Sequence, residues 1–290
     1  MFHLFKKKHA PEAEAETPEV RQPEAQHPEA QHPEAAALAA QFGPEEFDIT
    51  AVTGANGFGG EKEEEAEHWT ATLPLIAWRE DDGPIREENT CLVALADDIL
   101  LDYLRRSAPR DSVIQARVRK GLADDRFLLV GLPSPVADRE MKAVLDRATQ
   151  EVSVWVPEVG TFVLNRRLNW FEADVEWIDK SVIMVYENDS EAEQRAAQAT
   201  ALALMKDVSV WDATIRTFAL EKMWGQEADP PEWEGLTQNE ALERLDPESI
   251  QVWGDGRFEV WSRDREHDWG RSAHICGNLK DGITQAEWES

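Results

Sequence analysis

Hydrophobic and polar positions change period several times along the chain. From Ser112 to Lys120 they alternate, with Val113, Gln115, Arg117 and Arg119 on one side and Ile114, Ala116 and Val118 on the other, the period-two pattern of a half-buried strand. Gly121 to Asp125 turns this strand into Arg126–Leu132, a near-continuous apolar run that suits a central position in a sheet. Phe47–Thr53, Trp69–Trp78 and Cys91–Leu95 also read as strands, and Gly54–Gly60 as a glycine-rich loop. Between them two segments have helical spacing. Asp97–Arg106 places Ile99, Leu100, Tyr103 and Leu104 on one face, and Asp138–Thr149 does the same with Met141, Val144, Leu145 and Ala148.

The second half starts afresh. Gly160–Leu164, Trp170–Ile178 and Ser181–Tyr186 read as strands, the last two joined by a reversal at Asp179-Lys180. Ser190 and Glu193 have capping-box spacing, so a helix starts there and continues through Ala197, Ala201, Leu204, Met205 and Val208. Ser209 with Asp212 predicts a second helix carrying Trp211, Ile215, Phe218 and Met223, which Pro230-Pro231 must end. Thr237 with Glu240 opens a third, closed at Asp246-Pro247. Gly254-Asp255-Gly256 between Ile250–Trp253 and Arg257–Ser262 signals a hairpin, because glycine and aspartate tolerate positive φ. A further strand falls within Trp269–Leu279.

The first 45 residues differ in composition. They hold six of the 15 prolines and a pentad ending in Pro-Glu-Ala three times over, at Arg21–Ala25, Gln26–Ala30 and Gln31–Ala35. Regular proline removes backbone donors and the glutamates repel one another, so this stretch reads as an extended, disordered tether without core contacts. The fold class expected is therefore α+β: two small domains with antiparallel sheets, 46–152 and 153–290, behind a tail at 1–45.

Charge narrows the functional classes. Against 30 Lys and Arg stand 58 Asp and Glu, a formal charge of −28. Such a chain repels phosphate backbones, so no nucleic acid is expected as a partner, while a basic protein is attracted. At 42% hydrophobic residues over 290 positions there is enough apolar material for folded cores. The sequence has no apolar run long enough to span a bilayer and no recognisable export signal. Phe2 to Lys8 joins apolar residues to three lysines, enough for weak peripheral contact with an anionic membrane. Two cysteines, Cys91 and Cys276, without CxxC or CxxH spacing, suggest neither a disulfide framework nor a structural zinc site and suit a cytoplasmic home.

Gly160-Thr-Phe-Val-Leu-Asn-Arg-Arg-Leu-Asn-Trp-Phe-Glu172 resembles the opening of a bacterial family known as domain of unknown function 2262. Trp211-Asp212 after the helix from Ser190 to Lys206 agrees with it, as does the ending Trp269-Gly270-x-Ser272 with Ile275, Gly277, Asn278 and Leu279. The resemblance covers residues 155 to the C-terminus. It implies a compact bacterial α+β domain and carries no activity or catalytic residues. Where many relatives have histidine this chain has Arg271, so no role of that histidine transfers.

Candidate chemistry centres on Asp264, His267, Asp268 and His274, since two carboxylates and imidazoles can hold a divalent ion or move protons. Their spacing matches no HExxH pattern, and charges are ordinary in a hairpin connection. Twelve tryptophans, among them Trp253, Trp261 and Trp269, fill a core or anchor an interface; with Arg271 these three are the interaction candidates. Gly54–Gly60 lacks a GK[ST] ending and precedes Glu61 and Glu63–Glu65, which argues against phosphate binding. Nothing calls for a cofactor. The leading expectation is a non-catalytic acidic interaction module, immunity-like in form, that binds a basic partner. A metal-dependent hydrolase using Asp264 to His274 and a peripheral membrane scaffold are the alternatives.

Overall fold

The computed structural model describes residues 33–64, 66–223, 235–264 and 272–289, with the backbone alone at Asp264. The chain divides into two compact units, Met1–Lys142 and Ala143–Ser290. The reading of residues 1–32 as a tether, and the Phe2–Lys8 membrane contact, lie outside the described residues. No helix among the described residues is long and apolar enough to cross a membrane.

In the first unit, strands β1 (Phe42–Thr53), β3 (Trp69–Glu80) and β4 (Thr90–Ala96) form an antiparallel meander, with the short β2 (Gly59–Glu61) paired to β3. Helix α2 (Asp98–Ser107) follows, then β5 (Val113–Gly121), β6 (Phe127–Leu129) and β7 (Ser134–Pro135). β4 pairs with β6 in parallel, β6 with β5 antiparallel, and β5 returns to β1. The sheet therefore closes into a five-stranded barrel of order β1-β3-β4-β6-β5, the connectivity of the Greek-key OB-fold. Alternation in β5 is as the sequence predicts, with Ile114, Ala116 and Val118 inside beside Ile49, Ala51, Leu73, Leu92 and Phe127.

Two expectations change here. Helix α2 buries Leu101 and Leu104, capped by Asp97, whose side chain accepts from the Leu100 amide; Ile99 is 80% exposed. The face that meets the barrel runs through Leu101, Leu104 and Ala108, not through Ile99 and Tyr103. The fold also begins before residue 46. Helix α1 (Pro33–Ala39) buries Ala35, and Phe42 packs with Leu38, Val93 and Leu128 on the outside of β4 and β6. Glu34 fixes this helix by accepting from the Glu67 amide at 3.1 Å and meeting His68 Nδ1 at 3.0 Å. Residues 33–45 thus make core contacts despite their alanine and proline content, because the apolar residues among them meet an uncovered barrel wall.

Helix α3 (Arg139–Ala148) buries Met141, Val144 and Leu145, as its spacing predicts. The second unit is an eight-stranded sheet of order β15-β14-β13-β12-β11-β10-β9-β8. Its members are β8 (Ser153–Val156), β9 (Gly160–Asn165), β10 (Trp170–Trp177), β11 (Lys180–Glu187), β12 (Leu245–Val252), β13 (Arg257–Asp264), β14 (Ser272–Asn278) and β15 (Gly282–Glu289). Neighbours are antiparallel except β11 and β12, which are parallel and so need a long crossover. That crossover carries α4 (Glu191–Lys206), α5 (Val208–Met223) and α6 (Gln238–Arg244), whose apolar sides cover one face of the sheet.

Ser190 caps α4 and the Thr237–Glu240 capping box opens α6. By contrast α5 starts at Val208, directly after Asp207, and Asp212 is no part of a cap; its carboxylate is used elsewhere. The β10–β11 reversal is Ile178-Asp179, one residue earlier than expected, since Trp177 pairs with Lys180. Asp246-Pro247 lies in β12 beside a bulge, where a proline is tolerated. The pattern overlooked β8 and β15, two edge strands.

Two predictions follow from packing and charge. A Cβ on Gly277 would stand 2.5 Å from Phe258 Cζ, and Phe258 is buried with its ring near-perpendicular to that of Trp211. Gly277→Ala should therefore cost about 2 kcal/mol in chemical denaturation; an unchanged midpoint contradicts this packing. Asp138 lies below the usual carboxylate range because it accepts from the Met141 amide, and the Arg79 guanidinium and the Glu140 amide add to this against the opposing effect of burial. Its stabilisation is present above the unfolded aspartate pKa, about 3.9, and disappears as pH falls through the lower folded value. Asp138→Asn should lower the melting temperature near neutrality, while its melting temperature falls less than that of the unaltered chain on acidification, so that the two curves converge.

Candidate functional site

On every strand of the C-terminal sheet alternate side chains enter the helix-covered core, and the others point to the opposite face. Register joins those opposite-facing residues into two rows. One runs Ser153, Val163, Glu172, Val185, Gln251, Glu259, Cys276 and Gln285. The second runs Asp174, Ile183, Ser249, Trp261, His274 and Glu287. Neither row contains lysine or arginine. Arg257 and Arg263, at the margins on β13, are already paired with Asp255 at 2.7 Å and Glu248 at 3.0 Å.

The rows are densest in chemistry where β13, β14 and β15 meet. His274 Nε2 lies 2.9 Å from Glu259 Oε2 and 3.6 Å from Cys276 Sγ. Its ring stacks on Trp261 with centroids 4.2 Å apart and planes 15° apart. On the far side Nδ1 is buried and stands 3.3 Å from Glu289 Oε1, in a geometry that makes no hydrogen bond. Glu287, the direct cross-strand neighbour of His274, is also within ligand reach of the ring. The His274 side chain is only 13% exposed. Burial pushes the Cys276 thiol above its ordinary range, and the charges of Glu259, Glu287 and Glu289 add to that. Such an arrangement can hold a cation, since one imidazole and one sulfur are surrounded by carboxylates.

Of the four residues singled out for chemistry, His274 alone has a described side chain. Asp264 is placed by its backbone at the end of β13, opposite Leu245. His267 and Asp268 lie outside the described residues, as do the interaction candidates Trp269 and Arg271. Trp261 is in the cluster. Trp253 is half-buried at the β12–β13 turn, with the Arg257 guanidinium 5.2 Å from its ring centre and its carbonyl accepting from Thr200 at 2.7 Å. His274 therefore meets Glu259, Cys276, Glu287 and Glu289, which the sequence reading did not select. Their signal was the i, i+2 spacing of Glu259 and Trp261, His274 and Cys276, and Glu287 and Glu289 on successive strands.

Residues 34–148 match a family described as a domain of unknown function, DUF7021, and residues 157–288 match one described as an uncharacterized protein conserved in bacteria, DUF2262. The second match agrees with the resemblance of the C-terminal half. No curated protein and no solved structure matches the chain.

Several residues that carry that resemblance serve the architecture. The Asn165 side-chain oxygen accepts from the Arg167 and Leu168 amides to shape the β9–β10 turn, and its amide group donates to Glu172, which also accepts from the Trp170 indole. Asn169 adopts φ 55 at the end of that turn and accepts from Asn188. Asp212 accepts from the Trp177 indole at 2.9 Å and from Arg216 Nε at 2.9 Å. Arg216 also donates to the Leu242 and Leu245 carbonyls and faces Asp246, which Lys180 reaches at 3.2 Å. Asp212→Ala should cost about 3 kcal/mol, because it leaves the Trp177 N–H without an acceptor and Arg216 without its nearest carboxylate. Urea unfolding checks this; a loss below about 1 kcal/mol removes the network from the account.

Proposed function

We propose that the protein is a non-catalytic, cytoplasmic interaction module that binds a basic protein on the open face of its C-terminal sheet. One observation carries this reading: two rows of side chains cross that sheet without a lysine or arginine, carrying Glu172, Asp174, Glu259 and Glu287. Glu176 on β10, Glu187 on β11 and Glu289 on the edge strand β15 lie on the same face. Indole and aliphatic groups stand among the carboxylates. Trp155 is 68% exposed and Ile183 47%, and each can anchor a partner whose lysines and arginines meet the surrounding acids. Complementary charge accelerates encounter and selects against acidic competitors. An immunity-like protein that neutralises a cationic toxin needs a surface of this kind.

The barrel supports the same choice. OB-type barrels that take oligonucleotides use a positively charged groove and aromatic stacking. Here the β1–β3 connection carries Glu61, Glu63, Glu64 and Glu67 against one lysine, Lys62, a charge pattern that repels phosphate.

The test is a pull-down from bacterial lysate with the full chain at low and high salt, followed by mass spectrometry and measured affinity for the recovered protein. A basic protein should be retained at low salt and released at high salt, and Asp174→Lys with Glu176→Lys should weaken its binding at least tenfold. Glu63→Lys with Glu64→Lys, an equal change of charge on the barrel, should weaken it far less. Equal losses in both variants, or retention that ignores salt, would overturn the assignment to this face.

A further inference from the structure

We propose that Glu259, His274 and Cys276 form a binding site for a divalent transition-metal ion of the zinc class. The inference concerns a small ligand and stands apart from the macromolecular partner. Glu259 and Cys276 are direct cross-strand partners on β13 and β14, and His274 precedes Cys276 by two positions, so all three side chains rise from one side of the sheet. Their ligand atoms lie within 4.8 Å of one another.

Distances suit the ion. Zinc bonds of about 2.05 Å to nitrogen and about 2.3 Å to sulfur, at a tetrahedral angle, require the two atoms to be about 3.6 Å apart. His274 Nε2 and Cys276 Sγ are 3.6 Å apart. Glu259 Oε2 is 2.9 Å from Nε2 and needs to withdraw by about 0.4 Å to become the third ligand. It is a half-buried side chain on a strand, and rotation about its own bonds provides that movement.

The surroundings have what a ligating imidazole needs. Its second nitrogen normally faces a carboxylate, which fixes the tautomer and directs the first nitrogen at the metal. Nδ1 of His274 is buried without a hydrogen-bond partner and lies 3.3 Å from Glu289 Oε1, so a small shift of that carboxylate completes the arrangement. Trp261, stacked on the ring, sets its plane. The sulfur and imidazole favour a zinc-class ion over magnesium or calcium, which prefer all-oxygen sites. Three protein ligands leave the fourth position for water or an incoming group.

Cobalt(II) is the probe, added to the metal-stripped full chain, with zinc(II) as competitor. Expected are saturation at one ion per chain, the visible bands of tetrahedral cobalt, a thiolate-to-cobalt charge-transfer band, and displacement by zinc. Cys276→Ser should abolish the charge-transfer band, whereas Cys91→Ser should retain it. His274→Gln and Glu259→Gln should each weaken binding at least tenfold, with circular dichroism confirming that the variants fold. Should His274→Gln fail to fold, the Cys276 and Glu259 variants decide alone. Three results would overturn the proposal: no thiolate band at saturation, equal affinity in Cys276→Ser, or affinity that depends on Glu287 and Glu289 while ignoring Glu259, which places the ion on the other side of the ring.

Discussion

Asp212 shares its carboxylate between the Trp177 indole and the Arg216 guanidinium, and through Arg216 this contact reaches the end of α6, Asp246 and Lys180. The link matters because β11 and β12 are parallel neighbours joined by a crossover that carries three helices among the described residues, so the crossover has to be held against the sheet it left. Apolar packing supplies most of the attraction, with Ala201, Leu204, Ile215 and Ala219 set against Val182, Met184, Ile250 and Val260. Such packing is non-directional. A partly buried charge network adds orientation more than net stability, since desolvation offsets much of the attraction between its members. With one face of the sheet sealed in this way, the residues of opposite parity are what the domain presents.

Local rules made much of this architecture legible beforehand. Alternation in β5, the Ser190 and Thr237 caps, and the glycine-aspartate turn before β13 each depend on residues close together in sequence, and each is where the pattern placed it. What depends on long-range register was not legible. Nothing near Phe47 announces that β1 pairs with both β3 and β5 and so closes a barrel, or that α1 finds a wall to pack on. The face of α2 went astray because Ile99 and Leu101 are equally apolar, and only the position of the barrel opening selects Leu101. At the β10–β11 turn Ile178 takes φ 63, a conformation that disfavours branched side chains, so residue preference pointed to the next pair along.

The candidate site shows the same division. His274 was selected for its chemistry alone, while its partners are set by the register of three strands. Glu259 and Cys276 meet because a hairpin fixes them opposite each other. Proximity in sequence instead favoured Asp264, His267 and Asp268, of which Asp264 ends β13 and the other two lie outside the described residues.

Concentrating carboxylates on one sheet face is costly to the fold, because Glu172, Asp174 and Glu176 on β10 and Glu287 and Glu289 on β15 recur at every second position, about 7 Å apart along the strand and within the screening length, and the rows contain no lysine or arginine to offset them. A sequence that retains such a cost has the pattern of a surface whose compensating charge comes from outside. A metal ion at His274 supplies only part of it. Asp174 on β10 is four strands away from β14, about 19 Å at the usual spacing between strands, whereas screening in physiological salt reduces charge interactions beyond about 8 Å. An ion held by Glu259, His274 and Cys276 therefore relieves Glu287 and Glu289 and leaves Asp174 and Glu176 as they were. Only a ligand extended enough to cover several strands, with positive charges spaced along it, compensates the whole face. The two readings thus share the carboxylates around His274 and part at β10, where occupation of the metal site leaves the electrostatic demand of Asp174 and Glu176 in place.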